Sequence, residues 1–205
     1  MRRMIVARFG GPEVVELRTD EDRPPTRGRV RVRITHASLG STDALARRGG
    51  YLLQPRPGFT PGYDLVGVLE TSTRESETRG LVIGTRVAAC LPRMGAHATS
   101  IDLPPRRLVP VPEALSSDVA AALPLDLVTA GLAAWLAALP PGGTLLVQGA
   151  SGPVGTLLVQ HARAAGHPVI GTSSPRTSRE PVWSTAAATP PDAASRMRAA
   201  ASASP

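Results

Sequence analysis

The chain has 205 residues, 42% of them hydrophobic and 19% charged, which is enough for a packed core in one or two domains. Its formal charge is +7, carried by 23 arginines and no lysine. The arginines are spread along the chain and aromatics make up 3%, so the basic-aromatic clustering expected of a nucleic-acid binder is missing. One cysteine, Cys90, excludes an internal disulfide framework and a multi-cysteine zinc lobe. No run of 18 apolar residues offers a membrane span. Arg8, Gly10, Gly11 and Pro12 interrupt the N-terminus before a signal-like apolar core can form, so a cytoplasmic protein without membrane or nucleic-acid partners is expected.

Residues 1 to about 112 read as short β segments. Arg29-Val30-Arg31-Val32-Arg33-Ile34 alternates perfectly and places Val30, Val32 and Ile34 on one face. Further apolar runs at residues 4–7, 14–17, 65–69, 81–83, 87–91 and 108–111 are separated by glycine and proline. The pattern predicts a compact β domain with few helices.

The character changes near Ser116. Ser116, Ser117 and Asp118 offer a cap for an alanine-rich helix that Pro124 interrupts. A second helix carries Leu132, Trp135, Leu136 and Leu139 on one face, and Pro140-Pro141-Gly142-Gly143 ends it. Residues 144–148 suit a buried parallel strand. A glycine-rich loop, 149–155, leads into a helix over 154–165, with Val154, Leu157, Leu158, His161 and Ala165 available for one face and Gly166 as its stop. Residues 168–171 form the next strand, and the stretch is one βαβ unit. Of the 34 residues from 172 to 205, 25 are Ala, Ser, Thr or Pro, a composition that cannot bury enough to offset its ordering entropy and predicts a disordered tail.

Gly149-Ala150-Ser151-Gly152-Pro153-Val154-Gly155 lies between that strand and helix. Glycines there permit a tight turn and close approach of backbone to a pyrophosphate, and the helix N-terminus offers N–H groups and partial positive charge. The sequence context strengthens an otherwise weak motif. An NAD-selective site expects an acid at the end of the second strand. Here stand Thr172, Ser173 and Ser174, then Arg176 and Arg179, which could meet a 2′-phosphate, so NADPH is the expected cofactor. The alternative is that these arginines are tail residues with no ligand.

With these motifs in order, the chain resembles the medium-chain dehydrogenase/reductase superfamily, and within it the zinc-independent quinone oxidoreductase branch with its related enoyl reductases. The resemblance rests on Gly10-Gly11-Pro12-Glu13-Val14, Asp43 with Arg47-Arg48-Gly49-Gly50-Tyr51, Pro61-Gly62-Tyr63-Asp64-Leu65-Val66-Gly67-Val68, Gly84-Thr85-Arg86-Val87, Pro124-Leu125 with Thr129-Ala130, and the loop 149–155. It implies a GroES-like β-rich domain over 1–115, the first βαβ of a Rossmann domain over 116–174, and a low-complexity tail over 175–205. It also implies hydride transfer to a quinone or α,β-unsaturated carbonyl. Tyr51 would line the substrate cleft and hydrogen-bond a carbonyl, with Asp43 and Arg47 shaping that loop. Thr129 would stand at the nicotinamide end. The cofactor would rest on Gly149, Ala150, Ser151, Gly152, Val154 and Gly155, with Ser173 and Arg176 at its ribose phosphate.

The zinc-dependent branch carries a Cys ligand where this chain has residues 38–43 and a Gly-His-Glu motif where it has Gly62-Tyr63-Asp64, while His36, His97, His161 and His167 show no ligand spacing; no metal is expected. Two departures stand out: Gly40 where the family often has Asn, and Pro153 in place of the commoner glycine, a proline tolerated in a first helical turn. The second mononucleotide half is not recognisable. A truncation or a shifted reading frame is the expectation, and a non-catalytic remnant acting as a binding module is the alternative function.

Overall fold

The computed structural model describes residues 1–173. It divides into two compact units, one ending at Ala138 and the next beginning at Leu139.

The first unit begins with an antiparallel hairpin, β1 (Arg2–Val6) and β2 (Val15–Thr19), whose register runs from Arg2 opposite Thr19 to Val6 opposite Val15. A five-stranded antiparallel sheet follows, from β3 (Val30–Ala37), β4 (Asp64–Leu69), β5 (Arg86–Cys90), β6 (Ser100–Leu103) and β7 (Val109–Pro110), in the order β6-β3-β4-β5-β7. The alternating segment behaves as the period-2 argument requires. Val30 and Val32 are fully buried with Ile34 packed against their cluster, and Arg31 on the other face forms a two-point ion pair with Asp102 of β6, at 2.8 and 3.0 Å. Gly67 sits where β3 crosses close to β4: a Cβ there would overlap the Arg33 carbonyl.

Three features of this unit differ from the sequence expectation. Residues 81–83 are no strand. Gly80 and Gly84 take φ of +71° and +88° at either end, Val82 N donates to the Thr85 hydroxyl, and Leu81 alone is buried while Val82 and Ile83 face solvent. Two short helices escape the sequence pattern. The first is α1 (Ser41–Arg47), so Asp43 and Arg47 stand on a helix and not a loop. The second is α2 (Arg74–Thr78), held by reciprocal bonds between Thr73 and Ser76. Both are two turns or fewer, with seven and five residues, too short for a hydrophobic period to show.

The last helices of the unit are α3 (Ser117–Ala121), capped at Ser116, and α4 (Pro124–Ala137). Pro124 occupies the first position of α4, where its missing N–H costs nothing. The helix stops earlier than its Pro-Gly terminator, because Ala138 turns left-handed at φ +44°. Leu139 therefore lies off the helix, and the expected core face is exposed at Leu132, Trp135 and Leu136, with Trp135 74% accessible. The helix buries Ala130, and its first turn packs Leu125 against Val6, Phe59, Tyr63 and Met94. Alanines 120 and 121 of α3 pack on Val66.

In the second unit, β8 (Leu145–Gln148) and β9 (Val169–Thr172) pair in parallel, Leu145 opposite Val169, with α5 (Pro153–Ala164) as the crossover. The expected helix is present, but its buried stripe is different. Gly155, Val159 and Ala162, at i, i+4 and i+7, face the sheet, while His161 and Ala165 are exposed. Small residues win this face because they let helix and strand approach closely. The tail expectation, with Ser174, Arg176 and Arg179, lies outside the described residues. Among the described residues no helix is long and apolar enough to cross a membrane.

Candidate functional site

In the first unit the predicted residues gather around α1 and the start of β4. Asp43 is the third helical residue of α1, and its carboxylate spans two segments. One oxygen accepts the Gly40 N–H at 2.8 Å, and the other accepts the Gly62 N–H at 2.7 Å. Both oxygens are thus taken by backbone in a buried place, which makes Asp43 a clamp between the α1 cap and the turn before β4. Gly62 is required there: φ is +94°, and a Cβ would meet His97 Cδ2 at 2.7 Å and the Ala96 Cβ at 2.9 Å. Arg47, at the other end of α1, donates to the Gly10 carbonyl at 2.8 Å while Gly10 N–H returns a bond to the Arg47 carbonyl. The role the structure gives Arg47 is to lock the glycine loop of the first hairpin.

Tyr51 follows α1 and is half-buried. Its hydroxyl lies 2.7 Å from that of Tyr63, with the rings edge-on at 85° and 6.2 Å apart. Tyr63 is only 6% exposed. Beside it, Asp64 is buried and joins three elements: it accepts the Leu125 N–H at 2.9 Å from the first turn of α4, and the Ser38 hydroxyl at 3.3 Å from the end of β3. Burial pushes its carboxyl up to about 6, with those two bonds pulling the other way. Burial, with the neighbouring Asp64 charge, pushes the Cys90 thiol up to about 11, so it is held as a thiol at neutral pH. His97 Nε2 donates to the Ser38 carbonyl at 2.8 Å. Among the described residues no three His, Cys, Asp or Glu side chains converge as metal ligands.

Thr129, on α4, spends its hydroxyl on the Leu125 carbonyl one turn back, at 2.7 Å. The structure therefore gives Thr129 a local helix bond.

The second unit carries the glycine loop as its own structure. Gly149 leaves β8 with φ +74°, Gly152 N–H bonds back to the Gly149 carbonyl at 3.0 Å, and Ala150 N–H bonds to the Thr172 carbonyl of β9 at 2.9 Å. Gly152 caps α5, and Val154 and Gly155 lie in its first turn, whose N–H groups lack intrahelical acceptors. Gly155 is closed to any side chain, since a Cβ there would overlap the Gly149 carbonyl oxygen. The Thr156 hydroxyl pins the loop from inside by donating to the Ala150 carbonyl at 3.2 Å. This cradle fits a pyrophosphate: backbone can come close, and the helix presents donors. Ser151 borders the loop, and Ser173, directly after β9, is exposed. Arg176 lies outside the described residues.

Sequence reasoning gives Tyr63 and Asp64 no role of their own, because the Gly62-Tyr63-Asp64 triplet enters only as part of a family motif and for the metal ligand it lacks. The signal that could have found Tyr63 is that it shares the chain's whole tyrosine content with Tyr51.

Comparison with known proteins agrees with this architecture. The family model "Alcohol dehydrogenase GroES-like domain" matches residues 26–113. A quinone oxidoreductase of Pseudomonas aeruginosa is 34% identical over 180 residues, covering 87% of this chain and 54% of that protein. The Mus musculus quinone oxidoreductase is 32% identical over 175 residues, covering 84% of this chain and 52% of that protein. A quinone oxidoreductase from Thermus thermophilus, solved alone and in complex with NADPH, superposes with a TM-score of 0.72 at 37% identity, over 86% of this chain and 55% of its own. The chain thus spans about half the length of the relatives it matches. Over that span it combines a GroES-like β domain with the opening strand–glycine loop–helix of a dinucleotide fold, and it is similar to the quinone oxidoreductases of the medium-chain dehydrogenase/reductase superfamily.

Proposed function

We propose that the chain serves NADPH-dependent transfer of a hydride to a quinone or an α,β-unsaturated carbonyl, without a metal ion. The observation that carries the reading is the loop 149–155, where Gly155 packs closely on the Gly149 carbonyl and the first-turn amides of α5 lack intrahelical acceptors. The relative solved with NADPH supports the choice of cofactor. Gly149, Ala150, Ser151, Gly152, Val154 and Gly155 would hold the pyrophosphate, and Ser173 and Arg176 the ribose phosphate. When bound, the reduced nicotinamide supplies a hydride, and a proton from water completes the two-electron reduction. The chain's own part is binding and orientation. Tyr51 presents a hydroxyl at a half-exposed position where it can donate to a substrate oxygen, and Asp43 and Arg47 fix the helix that carries it.

Fluorescence titration of the 205-residue chain with NADPH, with NADH as control, tests the reading. Micromolar binding that prefers NADPH is expected. Gly155→Ala should weaken it at least tenfold, and Arg176→Ala should narrow the preference. A folded chain that binds neither nucleotide overturns the reading. A second reading, a binding module without turnover, is favoured by one observation: the described parallel sheet has two strands, with Leu146 63% exposed. NADPH binding without reduction of any quinone or enone would select it.

A further inference from the structure

The two tyrosine hydroxyls are 2.7 Å apart, and from distance alone either could be the donor. Their surroundings break the tie. Each phenol has one proton. Tyr63 is buried in the cluster of Val6, Phe59, Ala46 and Met94, and among the described residues its hydroxyl has no hydrogen-bond partner besides Tyr51. If Tyr51 donated to Tyr63, the Tyr63 proton would be buried without an acceptor, an arrangement that costs about 1–3 kcal/mol. If Tyr63 donates to Tyr51, its proton is satisfied. The Tyr51 proton is then left for an acceptor outside the cluster, which Tyr51, half-exposed, can reach.

We propose that Tyr63 is a positioning residue: its buried hydroxyl donates to the Tyr51 oxygen and thereby commits the Tyr51 hydroxyl to act as a donor toward the oxygen of a bound carbonyl substrate. The inference deepens the hydride-transfer reading and, for its substrate, rests on it. Its chemical consequence is selectivity for ligands with an acceptor oxygen. A ligand that must itself donate to Tyr51 would have to displace the Tyr63 bond and strand a buried proton. The phenol pair is also polarised: a hydroxyl that accepts a hydrogen bond is the better donor, because the accepted bond draws electron density from its oxygen and leaves its hydrogen more positive.

The electrostatics of Tyr63 agree with its being the donor. Burial raises the phenol well above the ordinary tyrosine value, and the bond to Tyr51 raises it further, as expected when loss of the proton would break the bond. The nearby Cys90 and Asp43 groups add smaller contributions in the same direction. Neither residue is hydrogen-bonded to Tyr63 among the described residues: the Asp43 oxygens accept from Gly40 and Gly62, and the Tyr63 hydroxyl pairs with Tyr51.

The chain has two tyrosines, so each single variant leaves one phenol to observe. Tyrosinate absorbance at about 295 nm is followed against pH on the full chain and on Tyr51→Phe, with circular dichroism to confirm that both stay folded over the range compared. If Tyr63 donates, loss of Tyr51 removes an interaction that favours the neutral phenol, and Tyr63 should ionise at lower pH in the variant. If Tyr63 ionises at the same or higher pH, the direction of the bond is reversed or the bond is absent, and the proposal falls. This arm needs no cofactor and no turnover.

The second arm uses NADPH and 2-cyclohexenone. Tyr51→Phe and Tyr63→Phe should each lower kcat/KM about tenfold, and the double variant should be no worse than Tyr51→Phe, since Tyr63 acts through Tyr51. Losses that multiply, or a Tyr63→Phe variant with unchanged kcat/KM, overturn the positioning role while leaving the proposed function standing. A wild-type chain that binds no NADPH removes the hydride-transfer reading and the carbonyl substrate with it. The donor direction is still decided by the titration.

Discussion

The two units solve the same problem, burying one face of a sheet, with unequal means. The first pairs its strands antiparallel, with α1 and α2 carried in the connections between β3, β4 and β5, and closes separate apolar clusters around Leu65, Val6 and Val66. The second pairs β8 with β9 in parallel through one helix, so among the described residues a single cluster around Val147, Ala150 and Val159 carries it, and Leu146 is left open. A parallel pair is normally covered on both faces, and each unpaired edge is a row of unmet backbone groups. Antiparallel topology can complete itself within residues 1–138. A doubly wound topology cannot do so with two strands.

The sharpest way to break this comparison is native-state hydrogen exchange. Amides of β3, β4 and β5 should exchange at least a thousandfold more slowly than those of β8 and β9, and urea should unfold the two regions in separate transitions. A single cooperative transition spanning both would show that the second unit is stabilised in a way its own described contacts do not reveal.

Substitutions on the two sheets sharpen it. Leu65→Ala, in the fully buried centre of β4, should cost the first unit about 3 kcal/mol in urea unfolding. Leu146→Ser, at an exposed position of β8, should change stability by less than about 0.5 kcal/mol. A large loss from Leu146→Ser would mean that this side chain is covered in solution.

A further expected effect, read across pH, concerns Asp64. Its carboxyl is raised in the folded chain to about 6, so between its unfolded value near 3.8 and about 6 the folded state holds more proton than the unfolded one. Its contribution to stability is therefore largest at acid pH and falls as pH rises through that window, by at most about 1.4 kcal/mol per pH unit. Asp64→Asn keeps an oxygen for the Leu125 N–H and removes the titration. Urea midpoints measured from about pH 4 to 7 should show the variant losing less stability than the wild type as pH rises. A steeper loss in the variant would contradict the burial argument.

Much of this was legible in local pattern. The alternation of Val30, Val32 and Ile34 specified a strand face, and Gly149 to Gly155 between a strand and a helix specified a phosphate-cradling turn, because both depend on neighbours within a few residues. The run at 81–83 misled because its apolar residues satisfy the same local test, whereas the glycines on either side bend the backbone. The face of α4 misled because a helical period says which residues align and not whether anything covers them.

The sequence by itself determined the order of the β and βαβ regions and the glycine loop, since these are written in periods and spacings along the chain, and its motifs carried the family resemblance. Tertiary structure alone decided that Asp43 is a clamp and that Tyr63 stands against Tyr51. Asp43 reaches Gly62, and Tyr51 reaches Tyr63, only after α1 and β4 are packed together. Hydrogen bonds of that kind depend on distances of a few tenths of an ångström between segments 12 and 19 residues apart, which no local pattern encodes.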